Sequence, residues 1–137
     1  MGGLFFFPPE IAGKQFAEFL VELAQLFRDQ LLESIVPELQ KTPPVLGLTF
    51  GADRGQLIKL IMGKQVEYLG RALNIASRLQ GAVKEGDDNP AYKVLISKPT
   101  FQRLRIPPFF QIGPAKVNLR NIQLGENYEC MKIVLLT

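Results

Sequence analysis

Three proline pairs, Pro8-Pro9, Pro43-Pro44 and Pro107-Pro108, cut this chain of 137 residues into short stretches. Proline fixes φ and offers no N–H, so neither a helix nor an inner strand runs through such a pair. Every element must therefore fit between them. Leu4 to Phe7 is apolar and β-prone and reads as a short strand stopped by the first pair. Pro9-Glu10 then opens a helix, with proline near its first position and an acid in its first turn. Ile11, Phe16, Phe19, Leu20, Leu23, Phe27 and Leu31 mark one apolar stripe, which predicts a helix to about Ile35. Pro37 and the second pair end it.

Val45 to Phe50 reads as a strand and Gln56 to Met62 as its return, with Gly51 to Gly55 as the turn of a hairpin. Gly63-Lys64-Gln65 turns the chain again into Val66 to Gly70. Arg71 to Val83 is amphipathic, with Leu73, Ile75, Ala76, Leu79 and Val83 as its core candidates. Lys93 to Ser97 is a strand, Lys98-Pro99 starts a short helix through Leu104, and Lys116 to Ile122 with Tyr128 to Leu136 closes the chain as a strand pair. The order β-α-β-β-α-β-α-β-β predicts one α+β domain spanning residues 1–137, with helices packed on a mostly antiparallel sheet.

Composition removes several classes of function. There is no histidine, which excludes a Ser-His-Asp triad and histidine metal sites. The one cysteine, Cys130, has no intramolecular disulfide partner and no imidazole to activate it. The net charge of +3 is spread along the chain without a run of basic residues, so no nucleic-acid arm or polybasic anchor is expected. No apolar run approaches the length of about 18 residues that a membrane span needs. The start lacks the basic n-region of a signal peptide. A cytoplasmic protein is expected, with neither nucleic acid nor a membrane as partner. No Walker A or GxGxxG pattern is present.

The informative stretch is Glu67 to Leu79. Asn74 and Arg78 stand four residues apart, so a helix places an amide and a guanidinium on one face. On spacing alone that is most simply a solvated polar strip. The order of motifs says more. Gly70-x-x-x-Asn74-x-Ala76-x-Arg78-Leu79 resembles the helix signature of class III adenylyl and guanylyl cyclases. Leu46 to Gly51 is similar to that family's strand and glycine turn. Val94-Leu95-Ile96-Ser97 with the following Lys98 to Leu104 is similar to its "ILIS" strand and helix, and Gly113 to Ile122 with Tyr128 onward to its final strands.

The resemblance covers Val45 to Val134. It implies a ferredoxin-like cyclase fold and conversion of a nucleoside triphosphate to a 3′,5′-cyclic nucleotide and pyrophosphate. By it, Asn74 would orient the ribose and Arg78 would stabilise charge on the α-phosphate, a role suited to the guanidinium fork. Glu67 falls where the family reads the base, or is an exposed acid at a strand end. Leu69 would lie near the base. Arg120 falls where the family contacts the triphosphate, or is a surface arginine on an edge strand.

The family holds Mg²⁺ or Mn²⁺ through two aspartates, which by the resemblance would fall before residue 1. Without those aspartates the chain by itself is expected to be inactive, and with the first strand and helix also missing a homodimer or domain-swapped oligomer is expected. It would supply the Asn/Arg half of a shared site. Val66 to Arg71 does not reproduce the usual adenylyl or guanylyl specificity residues. With the long Glu85–Tyr92 loop, this is similar to the bacterial pyrimidine cyclases of antiphage defence. A non-catalytic cyclase-homology module that dimerises or binds nucleotide is the alternative from another class.

Overall fold

A computed structural model describes residues 3–35, 37 and 47–137. The protein is α+β. Its first helix, α1 (Gly13–Gln30), runs on into a π-helical turn at Leu31–Ile35. Then come β1 (Thr49–Ala52), β2 (Ile58–Met62), β3 (Gln65–Leu69), α2 (Arg71–Ala82), β4 (Lys93–Ser97), α3 (Lys98–Leu104), β5 (Gln111–Val117) and β6 (Tyr128–Val134). Four strands form one sheet in the order β1-β4-β6-β5, and β2 and β3 form a separate two-stranded sheet. β1 runs parallel to β4, and the other pairings are antiparallel.

Helices cover both faces of the four-stranded sheet. Phe16, Ala17 and Leu20 of α1 pack with Val94, Ile96 and Ile133 on one face. Ile75, Leu79, Ala82 and Val83 pack with Leu95, Cys130 and Val117 on the other. Alternation along β4 sends Val94 and Ile96 one way and Leu95 the other. All three are fully buried, as an inner strand covered on both faces requires.

Four expectations need correction. Leu4 to Phe7 joins no sheet. Its rings dock instead: Phe5 lies 5.3 Å from Phe19, Phe6 4.6 Å from Tyr68 and Phe7 5.1 Å from Phe16. Aromatic contact takes the place of a hydrogen-bonded ladder.

The helix starts at Gly13 rather than at Pro9-Glu10, which form a turn. Its cap, Ala12, offers no side-chain acceptor. Gly13 sits against the carbonyl oxygens of Leu104 and Arg105, where a Cβ would collide, so the end of α3 sets where α1 begins.

The hairpin is β2–β3, closed by Gly63-Lys64 with Gly63 at φ 62, and not a pair of Val45–Phe50 with Gln56–Met62. β1 instead pairs with β4 in the register Thr49↔Lys93 to Ala52↔Ile96. It lies directly on α2, because a Cβ on Gly51 would run into the Ala76 carbonyl oxygen and the Gln80 nitrogen. Gln80 Nε2 also donates to Thr49 Oγ1 at 2.6 Å. Val45, Leu46 and the Pro43-Pro44 stop lie outside the described residues.

The closing pair is β5 and β6, in register Val117↔Tyr128, so the first of them begins at Gln111 and ends before Asn118. β5 is an edge strand, which is why it tolerates Pro114.

Candidate functional site

α2 starts directly after β3, at Gly70. A Cβ there would press on the Gln56 carbonyl oxygen at 2.6 Å and Leu57 Cδ2 at 2.8 Å, so the strand-to-helix corner needs glycine for the close approach. From this corner the helix presents three faces at about 100° per residue. Ile75, Leu79 and Ala82 are buried toward the sheet. Ala72, Leu73 and Ala76 flank a cleft. Asn74 and Arg78 lie on the remaining side, both exposed.

The other sequence-selected residues surround this helix unevenly. Leu69 and Glu67 lie on β3, opposite Ile58 and Leu60 of β2, and the i, i+2 spacing puts them on one face of the hairpin. Both are exposed, Leu69 by 51%. Arg120 is not in a strand, because β5 ends at Val117. It sits in the 118–127 loop, which is held by Leu119 N–H donating to Gly125 O at 2.9 Å and Asn127 N–H donating to Asn118 Oδ1 at 3.0 Å. Arg71, the first residue of α2, donates from Nη2 to Gln123 O at 2.9 Å. That bond ties the Arg120 loop to the start of the Asn74/Arg78 helix.

Two polar clusters escaped the sequence reading. At the end of β4, Ser97 shares its hydroxyl proton between Asp53 Oδ1 and Thr100 Oγ1, the latter at 2.7 Å, and Thr100 donates to Asp53 Oδ1 at 3.0 Å. Ser97 is 1% exposed and Thr100 6%. Ser97 occupies the cap position of α3 but makes no capping bond; its hydroxyl is turned to donate to Asp53. Burial first, and the Asp53 charge second, pushes the nearby Tyr128 phenol above its ordinary value. A serine before Lys98-Pro99 is readable as a helix start. Its carboxylate partner, far back in the chain, left no local signal.

The second cluster joins Asp87 to two lysines. Lys93 Nζ lies 3.0 Å from Asp87 Oδ1 and 2.9 Å from Oδ2, and Lys132 Nζ lies 3.0 Å from Oδ2 and 3.2 Å from Val83 O. The Lys93 bond, opposed by burial and helped by Lys132, holds the Asp87 carboxyl well below the usual carboxylate range. This cluster anchors the Glu85–Tyr92 loop to the sheet.

Asp53 and Thr100 also line the cleft, which has a volume of about 770 Å³. Phe6 and Phe7 line it too, as do Arg54 and Arg103. Among the described residues, no group of three His, Cys, Asp or Glu side chains converges to hold a metal ion, and no helix is long and apolar enough to cross a membrane. No protein-family model, curated protein or solved structure matches the chain.

Proposed function

We propose that this chain is the Asn/Arg half of a nucleotide cyclase-type site. The observation that carries the reading is the placement of Asn74 and Arg78. They stand exposed on one strip of α2, turned away from both core and cleft, immediately after a strand bearing Glu67 and Leu69. The fold leaves this strip free to meet a ligand. In the proposed reaction the ribose 3′-hydroxyl gives up its proton to solvent, its oxygen bonds to the α-phosphorus, the bond from that phosphorus to the β-phosphate oxygen breaks, and pyrophosphate leaves. Arg78 would donate to α-phosphate oxygens as their charge grows. Asn74 would hold the ribose, Glu67 and Leu69 would meet the base, and Arg120 would meet the triphosphate. The Mg²⁺ or Mn²⁺ expected for such chemistry finds no convergent donor set among the described residues. A cytoplasmic location goes with this reading.

The test is a product assay on the protein at its full genomic length, with Mn²⁺ and each of ATP, GTP, CTP and UTP, read by mass spectrometry. One cyclic product that disappears in Asn74→Ala and Arg78→Ala supports the cyclase and names its base, and a cyclic UMP or cyclic CMP product selects the pyrimidine branch. No product from folded protein rejects it.

A second reading, a non-catalytic module that dimerises, is favoured by the β2–β3 hairpin. Ile58, Ile61 and Met62 are 62%, 69% and 56% exposed. A two-stranded hairpin is marginal without cover, and apolar exposure of this kind marks an interaction surface. Sedimentation that shows a dimer, together with no cyclic product, selects this reading.

A further inference from the structure

The cleft on the opposite side of α2 from Asn74 and Arg78 has the make-up of a ligand site in its own right. We propose that it binds a small phosphate ester carrying an aromatic ring.

Its volume of about 770 Å³ lies within the roughly 300–1,000 Å³ of small-molecule pockets. The rings of Phe6 and Phe7 line it and offer an aromatic body offset or edge-on contact. Arg54 and Arg103 line it as well. Both are exposed, and neither joins any of the ion pairs found among the described residues, which use Lys14, Lys93, Lys98 and Lys132. Two unpaired guanidinium forks match a phosphate group.

Asp53 supplies the third element. Among the described residues, its Oδ1 takes the Ser97 and Thr100 bonds and its Oδ2 takes none. The two buried hydroxyls fix the carboxylate and leave one oxygen to accept from a donor on the ligand. Two arginines against one carboxylate give the cleft a positive excess, which selects an anion over an ammonium. The phenylalanine wall selects an aromatic ester over a bare anion.

Calorimetry on the whole chain with phenyl phosphate and with AMP tests this, using inorganic phosphate and phenol as separate controls. Saturable binding of at least one ester is expected, about tenfold or more tighter than either control. The Arg54→Gln/Arg103→Gln double variant, whose substitutions are both at exposed positions, is expected to lose about tenfold or more, as charge-assisted bonds to phosphate imply. Its melting curve verifies folding. Asn74→Ala/Arg78→Ala is expected to leave phenyl phosphate binding unchanged, and this ester, which has neither ribose nor nucleobase, separates the cleft from the proposed cyclase strip. The proposal is overturned if neither ester saturates at millimolar concentration, or if inorganic phosphate binds as tightly as the esters. Phenyl phosphate binding lost in the Asn74/Arg78 variant but kept in the folded Arg54/Arg103 variant overturns it too.

Discussion

Lys132 Nζ lies 3.0 Å from Asp87 Oδ2, joining the middle of β6 to a loop 45 residues earlier in the chain. Lys93 Nζ meets the same oxygen at 2.9 Å. With side-chain exposures of 12% for Asp87, 17% for Lys93 and 23% for Lys132, solvent screens this cluster only in part. Asp87 is lowered from its ordinary 3.8, so its stabilisation is fully present above that value and is lost as pH falls below it. Urea unfolding across acidic pH should show that loss in the native chain. Asp87→Asn should remove this contribution and cost about 1–2 kcal/mol at neutral pH, as charge-assisted hydrogen bonds in a partly screened cluster imply.

Asn74→Ala and Arg78→Ala should separate function from stability. Both residues are exposed on α2. Each change is expected to shift unfolding free energy by no more than about 0.5 kcal/mol, while cyclic-nucleotide formation by the full-length protein is lost. Parallel melting curves and product assays check this.

Gly51 and Gly81 should respond to alanine in opposite directions. Gly51→Ala places a methyl against the Ala76 carbonyl oxygen and the Gln80 nitrogen and should cost about 1–3 kcal/mol. Gly81, inside α2, has open space around it, and Gly81→Ala should stabilise by about 0.5–1 kcal/mol. Denaturant midpoints of the two variants should bracket the native one.

Cys130 should be inert while the protein is folded. It is 1% exposed, its Sγ lies 3.5 Å from Ala115 O, and burial pushes its thiol up to about 11. Thiolate, the reactive form, is therefore scarce at pH 8. Iodoacetamide labelling should follow the urea unfolding curve and be negligible before it. Because the folded value lies above the ordinary 9.0, stability should also decline as pH rises from about 9 toward 11.

Much of the architecture was legible where the signal is local. β4 and α3 fall on Lys93–Ser97 and Lys98–Leu104, as their sequence predicts, because Lys98-Pro99 marks a helix start sharply. Ile75, Leu79 and Val83 of the predicted α2 stripe are buried. What failed was partner choice. The apolar pattern of Thr49 and Phe50 announces a strand but not that its neighbour is Lys93 and Val94. Phe5, Phe6 and Phe7 look β-prone because aromatic rings favour both ladders and ring packing. Within the candidate site, the Asn74/Arg78 strip follows from helical period alone. The Asp53 bonds to Ser97 and Thr100 reach across 44 and 47 residues, and the loop that carries Arg120 closes by backbone bonds that leave no sequence mark.

The parallel seam between β1 and β4 carries a kinetic consequence. Thr49 can find Lys93 only after the intervening chain has gathered, and that chain includes both the hairpin and α2. Closing such a loop costs entropy before contacts offset it, and the β4–β6 pairing closes one of similar length, so what each closure returns decides the order. Four residues at the rim of the sheet return little. The antiparallel trio β4, β6 and β5 is set to assemble early, with β1 zipping onto it last. In reverse, the molecule should come undone from that seam, with amide protons of β1 exchanging while those of β4 and β6 are still held.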